Sequence, residues 1–416
     1  MSPRLILQEL FRAAIDAAQP AVLLPAFLPD PPRGRTVVVG AGKAAAHMAA
    51  ALEAVWPGPL EGAVVTRYGH ATPCRRIRVL QAAHPIPDQN SLAAAREMRR
   101  LVTGLTKDDL VISLISGGGS ALLAEPVPGI SLADKQAVTQ SMFQAGATIR
   151  ELNKVRQALS LIKGGGLAAA AYPARVLTLA ISDVPGDDPA FIASGPTVPP
   201  PQDAVTPQQI IARLGVSLPS HIEAVLARPV ARRRDEFSHC RTELIATPMQ
   251  SLQAAAARAR ELGLVPMILS DCIEAESREA ALVHAGIAQS VRRHGLPIKA
   301  PAVLLSGGEC KVTLGSASPG KGGRNTEFLL ALGLALRDEH DIHALACDTD
   351  GIDGSEDNAG AVWLPDSLER SRQLSLDLSQ CLARHDSYGA FAALGDLVVT
   401  GPTHTNVNDF RAILIA

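Results

Sequence analysis

What most constrains this chain is an alternation. Short β-branched runs, several ending in a glycine or acidic turn, give way to longer alanine- and leucine-rich amphipathic stretches. Thr36–Val39, Gly62–Thr66, Ile77–Gln81, Leu110–Ile115 and Val176–Ile181 read as buried strands, with helices at Ala44–Glu53, Asp88–Leu101, Leu132–Ala145 and Glu151–Ile162. Continuous apolar strands separated by helices predict a mainly parallel sheet covered on both faces. The pattern breaks near Arg228–Cys240, where the charge run Arg232-Arg233-Arg234-Asp235-Glu236 reads as a solvated linker. A second series follows, with strands at Leu244–Ala246, Pro266–Leu269, Val303–Leu305, Val312–Leu314 and His343–Ala346, and helices near Ser251–Leu262, Ser277–Arg293 and Thr326–Leu336; the last strand, Ala412–Ile415, is free to return to the first domain. The expected architecture is α/β in two domains with mainly parallel sheets, residues 1–235 and 236–416, each within the usual domain size.

Composition removes several classes of function. Across 416 residues, 39 Lys and Arg nearly balance 41 Asp and Glu, so no global field attracts nucleic acid or an anionic membrane. Aromatic residues are 3%, too few for recognition of single strands by stacking. The N-terminus does not read as a signal peptide, because Glu9, Arg12 and Asp16 interrupt it. Leu5, Ile6, Leu10, Phe11 and Ile15 suit one helix face instead. No apolar run approaches the roughly 20 residues that span a bilayer. The six cysteines are scattered, without ligand spacing, and read as free thiols of a reducing compartment. A soluble cytoplasmic protein acting on a small molecule is expected, without nucleic-acid or membrane partners; a homo-oligomer is compatible with it.

The chemistry concentrates at strand ends. Gly40-Ala41-Gly42-Lys43-Ala44-Ala45 follows the first strand and has the G-x-G-x-x-A form of a dinucleotide turn, which makes the N-terminal domain Rossmann-like. Lys43 at a helix start opposes the helix dipole at about 0.3–1 kcal/mol, so it is a candidate anion ligand rather than a plain surface lysine. Ser116, Gly117, Gly118, Gly119 and Ser120 follow the strand Leu110–Ile115; glycines there let backbone N–H groups approach phosphate oxygens. Asp183, Asp187 and Asp188 lie in a turn after the strand Val176–Ile181, where either Mg²⁺ or ordinary turn chemistry accounts for them. Ser306, Gly307, Gly308 and Glu309 repeat the strand-to-glycine turn, and Arg324 and Asn325 open a helix after Gly322-Gly323. The planar fork of Arg324 suits carboxylate or phosphate. Asp348-Thr349-Asp350-Gly351-Ile352-Asp353 is as acidic as a calcium loop but has Ala359 where the bidentate glutamate belongs, and better suits a magnesium–phosphate site.

Taken in order, GAGKAA at Gly40, AHPIPDQNS at Ala83, SGGGSALL at Ser116, ISDVPGDDPAFIASGPT at Ile181, SGGE at Ser306, GGRNTEF at Gly322, DTDGIDG at Asp348 and GDLVVTGPTHTNVNDF at Gly395 resemble the glycerate 2-kinase family, whose C-terminal part is the MOFRL domain. The resemblance covers nearly the whole chain. It implies ATP- and Mg²⁺-dependent phosphorylation of D-glycerate at its 2-hydroxyl, in a cleft between a Rossmann-like and a smaller MOFRL-type domain. It also implies that Lys43 and Arg324 serve phosphoryl transfer. On this scheme Ser116–Ser120, Gly307, Gly308, Glu309 and Asn325 hold the nucleotide and phosphates, and Asp183, Asp348 and Asp350 the metal. The chain departs from the family pattern at Gly166, where an arginine is usual, and at His404, where glycine is usual. Members of the family also carry the name hydroxypyruvate reductase, which makes NAD(P)H-dependent reduction the alternative activity. A ligand sensor without turnover is the third reading.

Overall fold

The computed structural model describes residues 1–200, 205–228, 237–314, 320–336 and 339–416. The charge run 232–236 and the expected domain boundary at 235/236 lie outside them. The chain divides into two compact units.

The N-terminal unit comprises residues 20–182 and 187–245. Its strands are β1 (Thr36–Ala41), β2 (Glu61–Arg67), β3 (Ile77–Ala82), β4 (Leu110–Ile115), β5 (Arg175–Ile181) and β6 (Cys240–Ala246), in the sheet order β3-β2-β1-β4-β5-β6. All pairings from β3 through β5 are parallel. β1 and β4 are buried along their whole length, as continuous apolar runs require when helices cover both faces. The order reverses between β1 and β4, so the turns after them, at Gly42 and Ser116, open side by side at the switch point where α/β sheets bind ligands. A satellite layer of helices, Leu132–Gln144, Ile149–Ala158, Pro207–Leu214 and Ser220–Leu226, packs around its own small core of Val138, Met142, Leu152, Val155 and Ile210.

The C-terminal unit comprises residues 1–19, 183–186 and 246–416. Its strands are β7 (Val265–Ile273), β8 (Ala302–Gly308), β9 (Ile342–Asp348), β10 (Gly360–Trp363), β11 (Leu397–Val398) and β12 (Asp409–Ile415), in the order β11-β10-β9-β12-β8-β7. β7, β8, β9 and β11 point the same way; β12 and β10 are interposed in the opposite sense. Period-two alternation divides the core. Ala302, Leu304, Ile413 and Ile415 face the helices Ser277–His294 and Arg324–Ala335, while Val303, Leu305, Ala412 and Leu414 face the helices Pro3–Asp16 and Pro248–Glu261.

Three expectations are corrected. The first helix, expected in a 1–235 domain, belongs to the C-terminal unit, where Leu7, Leu10, Phe11 and Ala14 bury against β9, β12 and the helix Pro248–Glu261. Val312–Leu314 is irregular chain: only Lys311 forms a bridge, to Glu276. A β-branched run becomes a strand only where an edge accepts it. The strand Leu244–Ala246, expected in the second series, is the end of β6 and lies in the N-terminal sheet beside β5. The last strand, free in the sequence to return to the first domain, stays in the second, between β8 and β9.

Candidate functional site

In the N-terminal unit the two glycine turns are built into one another. Lys43 N–H donates to Gly117 O at 2.8 Å, and Ala44 N–H to Ser116 Oγ at 3.0 Å. Gly42 has φ 139°, and a Cβ there would lie 2.1 Å from Ser116 Oγ, so only glycine fits. Gly118 (φ 80°) faces the His84 ring and the Lys43 side chain. Ser116, expected at phosphate, is fully buried with its hydroxyl holding the Lys43 turn, so it supports the site rather than touching a ligand.

Ser120 is held from below. Lys163, buried, donates from Nζ to Ser120 O at 2.6 Å, Ser120 Oγ at 3.2 Å and Leu123 O at 3.1 Å, which uses all three of its protons. Ser120 Oγ lies 2.7 Å from Ser194 Oγ, which donates to Asn153 Oδ1 at 2.9 Å. Ala193 and Ser194 hold positive φ of 51° and 61°, a conformation that costs of order 1–3 kcal/mol per residue and marks a shaped segment. Beside this turn opens a cavity of about 630 Å³, lined among others by His84, Ile86, Gly118, Ser120, Lys135, Arg156 and Lys163.

In the C-terminal unit Arg324 is the hub. Its Nε donates to Asp409 Oδ1 at 2.6 Å, Nη1 to Glu309 Oε1 at 3.0 Å and Nη2 to Asp348 Oδ2 at 2.8 Å. Burial works to lower its pKa, but Asp409, Asp348 and Glu309 outweigh it and hold the guanidinium charged. Asp409 is buried, which alone would raise its pKa; Arg324 and Arg411 reverse that and hold it below the usual carboxylate range. Arg411 is fully buried, donates to Gly307 O at 3.1 Å and lies over the Phe328 ring at 5.0 Å. The hub thus sets three carboxylates, Glu309, Asp348 and Asp409, against the two guanidiniums of Arg324 and Arg411.

The acid loop after β9 is ordered by its own side chains. Asp348 Oδ1 accepts from Asp350 N–H at 3.0 Å, and Asp350 Oδ1 from Ile352 N–H at 2.9 Å. Asp353 accepts from Asn325 N–H at 2.9 Å and Thr326 N–H at 2.8 Å, capping the helix Arg324–Ala335. Burial raises the Asp353 pKa, against these hydrogen bonds. Asn325, expected at the nucleotide, is fully buried, with Nδ2 donating to Asp409 Oδ1 at 2.8 Å; it fixes the hub and is closed to a ligand. Gly308 has φ 115°, and a Cβ there would strike Ile273 N at 2.2 Å. Glu309 is half exposed and aimed at Arg324.

Asp183 joins this unit. Asn408 Nδ2 donates to its carbonyl and Asn406 Nδ2 to its Oδ2 at 3.3 Å. The same loop accepts from Thr349, next to Asp348, through Thr349 Oγ1 to Asn408 O at 2.7 Å. The three acids expected at metal thus share one loop system. Among the described residues no three acidic, histidine or cysteine side chains converge as a ready metal cage. Carboxylate oxygens are nonetheless the donors Mg²⁺ prefers, and it commonly takes one or two of them beside substrate phosphates. Asp409, Arg411, Lys135, Arg156 and Lys163 were not named as site residues from the sequence, and Asp353 stood only as part of the acid motif. Asp409 had a signal in the NVNDF motif, and Lys135 in its spacing with Leu132, Val138 and Met142 on one buried helix face.

A twisted parallel sheet with glycine turns at its switch point, joined in sequence to a mixed sheet with an arginine–carboxylate hub, defines a two-unit α/β protein with a group of polar turns at the strand ends of each sheet. Residues 6–227 match a family described as a domain of unknown function, DUF4147, and residues 302–409 match the MOFRL family. A protein of Pyrococcus horikoshii named glycerate 2-kinase is 38% identical over 92% of this chain and 88% of its own length. The crystal structure of a glycerate kinase from Thermotoga maritima superposes with a TM-score of 0.89 at 34% identity, covering 99% of both chains. An Agrobacterium vitis protein provisionally named hydroxypyruvate reductase is 55% identical over 100% of this chain and 95% of its own. The chain belongs to the glycerate 2-kinase family. Among the described residues no single helix is long and apolar enough to cross a membrane.

Proposed function

We propose that the protein is a glycerate 2-kinase that transfers the γ-phosphoryl group of ATP to the 2-hydroxyl of D-glycerate, giving ADP and 2-phospho-D-glycerate. Within the family, the observation that carries this reading is the Arg324 hub at the ends of β8 and β9. Phosphoryl transfer asks the protein for positioning and charge neutralisation more than for covalent chemistry. Arg324 supplies a rigid fork for an anionic oxygen pair. Asp409 and Asp348 fix it from buried positions, while half-exposed Glu309 is the partner an incoming carboxylate or phosphate displaces at least cost. Lys43, beside Gly118, supplies a second positive charge. Asp348 and Asp350, with Asp183, are the residues that would hold Mg²⁺. That ion, when bound, neutralises charge on the nucleotide phosphates. The substrate is a small molecule, the setting is the cytoplasm, and a homo-oligomer is compatible with this reading.

The name carried by the Agrobacterium relative keeps one alternative alive, NAD(P)H-dependent reduction of hydroxypyruvate. Two of the three tyrosines, which such a reaction could use as proton donors, are engaged by carboxylates. Tyr68 donates to Asp88 at 2.7 Å and Tyr388 to Asp357 at 3.1 Å. Release of ADP from Mg-ATP, dependent on D-glycerate, tests the kinase; saturable NADH or NADPH binding with glycerate-independent nucleotide stability would favour the reductase. Lys43→Ala and Arg324→Lys should each lower kcat by about 10²-fold or more, as when a fixed charge-stabilising donor is lost. The lysine at 324 keeps a charge among its three carboxylates, so the fold survives. Near-normal turnover in either variant removes that residue from the chemistry.

A further inference from the structure

The cavity beside Ser120 has two kinds of lining. Pro85, Ile86, Ala121, Ala133 and Ala137 supply apolar surface. Lys135, from the buried face of the helix Leu132–Gln144, and Arg156, from the helix Ile149–Ala158, supply cations. Lys135 is 7% exposed, and its Nζ is enclosed with no hydrogen-bond partner among the described residues. The carboxylate of Glu125, which faces Lys135, is committed to Arg99 through two hydrogen bonds of 2.8 Å each. Lys163 is saturated by its three oxygens. Burial alone accounts for the lowered pKa of Arg156, with no carboxylate opposing it.

Lys135 is buried and Arg156 partly buried, and the carboxylate facing Lys135 is already committed; such charge is costly unless a ligand completes it. A polyanion is the missing partner. The volume, about 630 Å³, is in the range of pockets that enclose cofactor-sized ligands and far exceeds what a three-carbon acid fills. We propose that this cavity is the nucleotide site, with Lys135 and Arg156 receiving the phosphate oxygens of ATP and the apolar surface receiving its base. This rests on the kinase reading and adds to it residues that the glycine turns alone do not identify.

The protonation of Lys135 gives a signature. Burial first, then Arg156, lowers its pKa to about 7, with Glu125 opposing; Lys163 and His84 also line the cavity. Phosphates favour the charged form, so binding above pH 7 takes up a proton. Without ligand, the unfolded chain binds more protons than the folded one between pH 7 and 10.5, so this lysine's cost to stability is fullest below pH 7 and fades toward 10.5.

The test is calorimetric titration of the full chain with the Mg complex of a non-hydrolysable ATP analogue, at pH 8 in two buffers of different ionisation enthalpy. Lys135→Met and Arg156→Met should each weaken binding about tenfold or more, the loss of a charge-assisted contact. Lys135→Met should also lose proton uptake and raise Tm at pH 7, which separates a binding role from misfolding. Its KM for D-glycerate at saturating ATP should stay within about twofold of the native value. Unchanged analogue affinity in both variants, or a loss confined to glycerate, overturns the assignment. Lys135-dependent analogue binding without glycerate turnover would uphold the cavity and sink the kinase reading. Turnover with analogue affinity indifferent to both residues would do the reverse.

Discussion

His284 lies beneath the Ser306-Gly307-Gly308-Glu309 turn, with Nδ1 2.7 Å from Ala280 O and Nε2 2.9 Å from Ser306 Oγ. Nδ1–H donates to the carbonyl, so Nε2 accepts from the serine hydroxyl and the ring is neutral. Burial, with Arg411 assisting and the Ala280 bond opposing, pushes its pKa down to about 4. Between pH 6.5 and about 4 the unfolded chain therefore binds the extra proton, and stability falls as pH drops through that window. In His284→Leu the decline of Tm from pH 6.5 to 4 should be shallower than in the native protein; the slope carries the test, because the orphaned Ser306 shifts the whole curve. Parallel slopes would show that His284 does not titrate as described. No motif marks this histidine, since its role exists only once the helix Ser277–His294 is laid against β8. His404 is different. It holds φ 64°, the left-handed region that glycine favours, which gives a physical reason for glycine being usual at that position.

At the scale of elements, the helix Pro3–Asp16 is the plainest case of a local pattern read correctly and placed wrongly. Periodicity identified an apolar face, yet Leu5 is 52% exposed and Leu7 is buried. The face turned because the surface it meets, on the helix Pro248–Glu261 and on β9 and β12, was not in the local sequence. Phe11 packs on Phe410 with ring centroids 5.6 Å apart. Phe11→Ala should cost about 3–5 kcal/mol by emptying that core, read as the shift in chemical-denaturation midpoint; a change under about 1 kcal/mol would mean that the helix is not a working part of the C-terminal core. β10 escaped notice because it is four residues long and begins at Gly360, where the strand passes so close to Ala346 O that a Cβ would lie 1.9 Å from it. Strand ends with glycine turns were legible because close backbone approach demands glycine. The hub's Asp409 and Arg411 were not, because β12 reaches β8 and β9 only through long-range pairing.

For the molecule as a whole, the sequence motifs marked the glycine and acid turns at the strand ends, and the fold assigned them to separate sheets: Lys43 and the Ser116–Ser120 turn to one, Arg324 and the acids of β9 to the other. Some motif residues proved to be supports. Ser116 and Asn325 are buried hydrogen-bonding braces, and Asp353 caps a helix. The positively charged cavity lining was hidden, because a lysine on an apolar helix face is an exception that propensity does not foresee. The central claim is phosphoryl transfer to the 2-hydroxyl of D-glycerate. A phosphorus NMR time course of the purified protein with Mg-ATP and D-glycerate tests it most directly. The account predicts loss of the γ-phosphate resonance matched by growth of 2-phosphoglycerate. Growth of 3-phosphoglycerate would contradict the site of attack, and an unchanged spectrum would contradict the kinase itself.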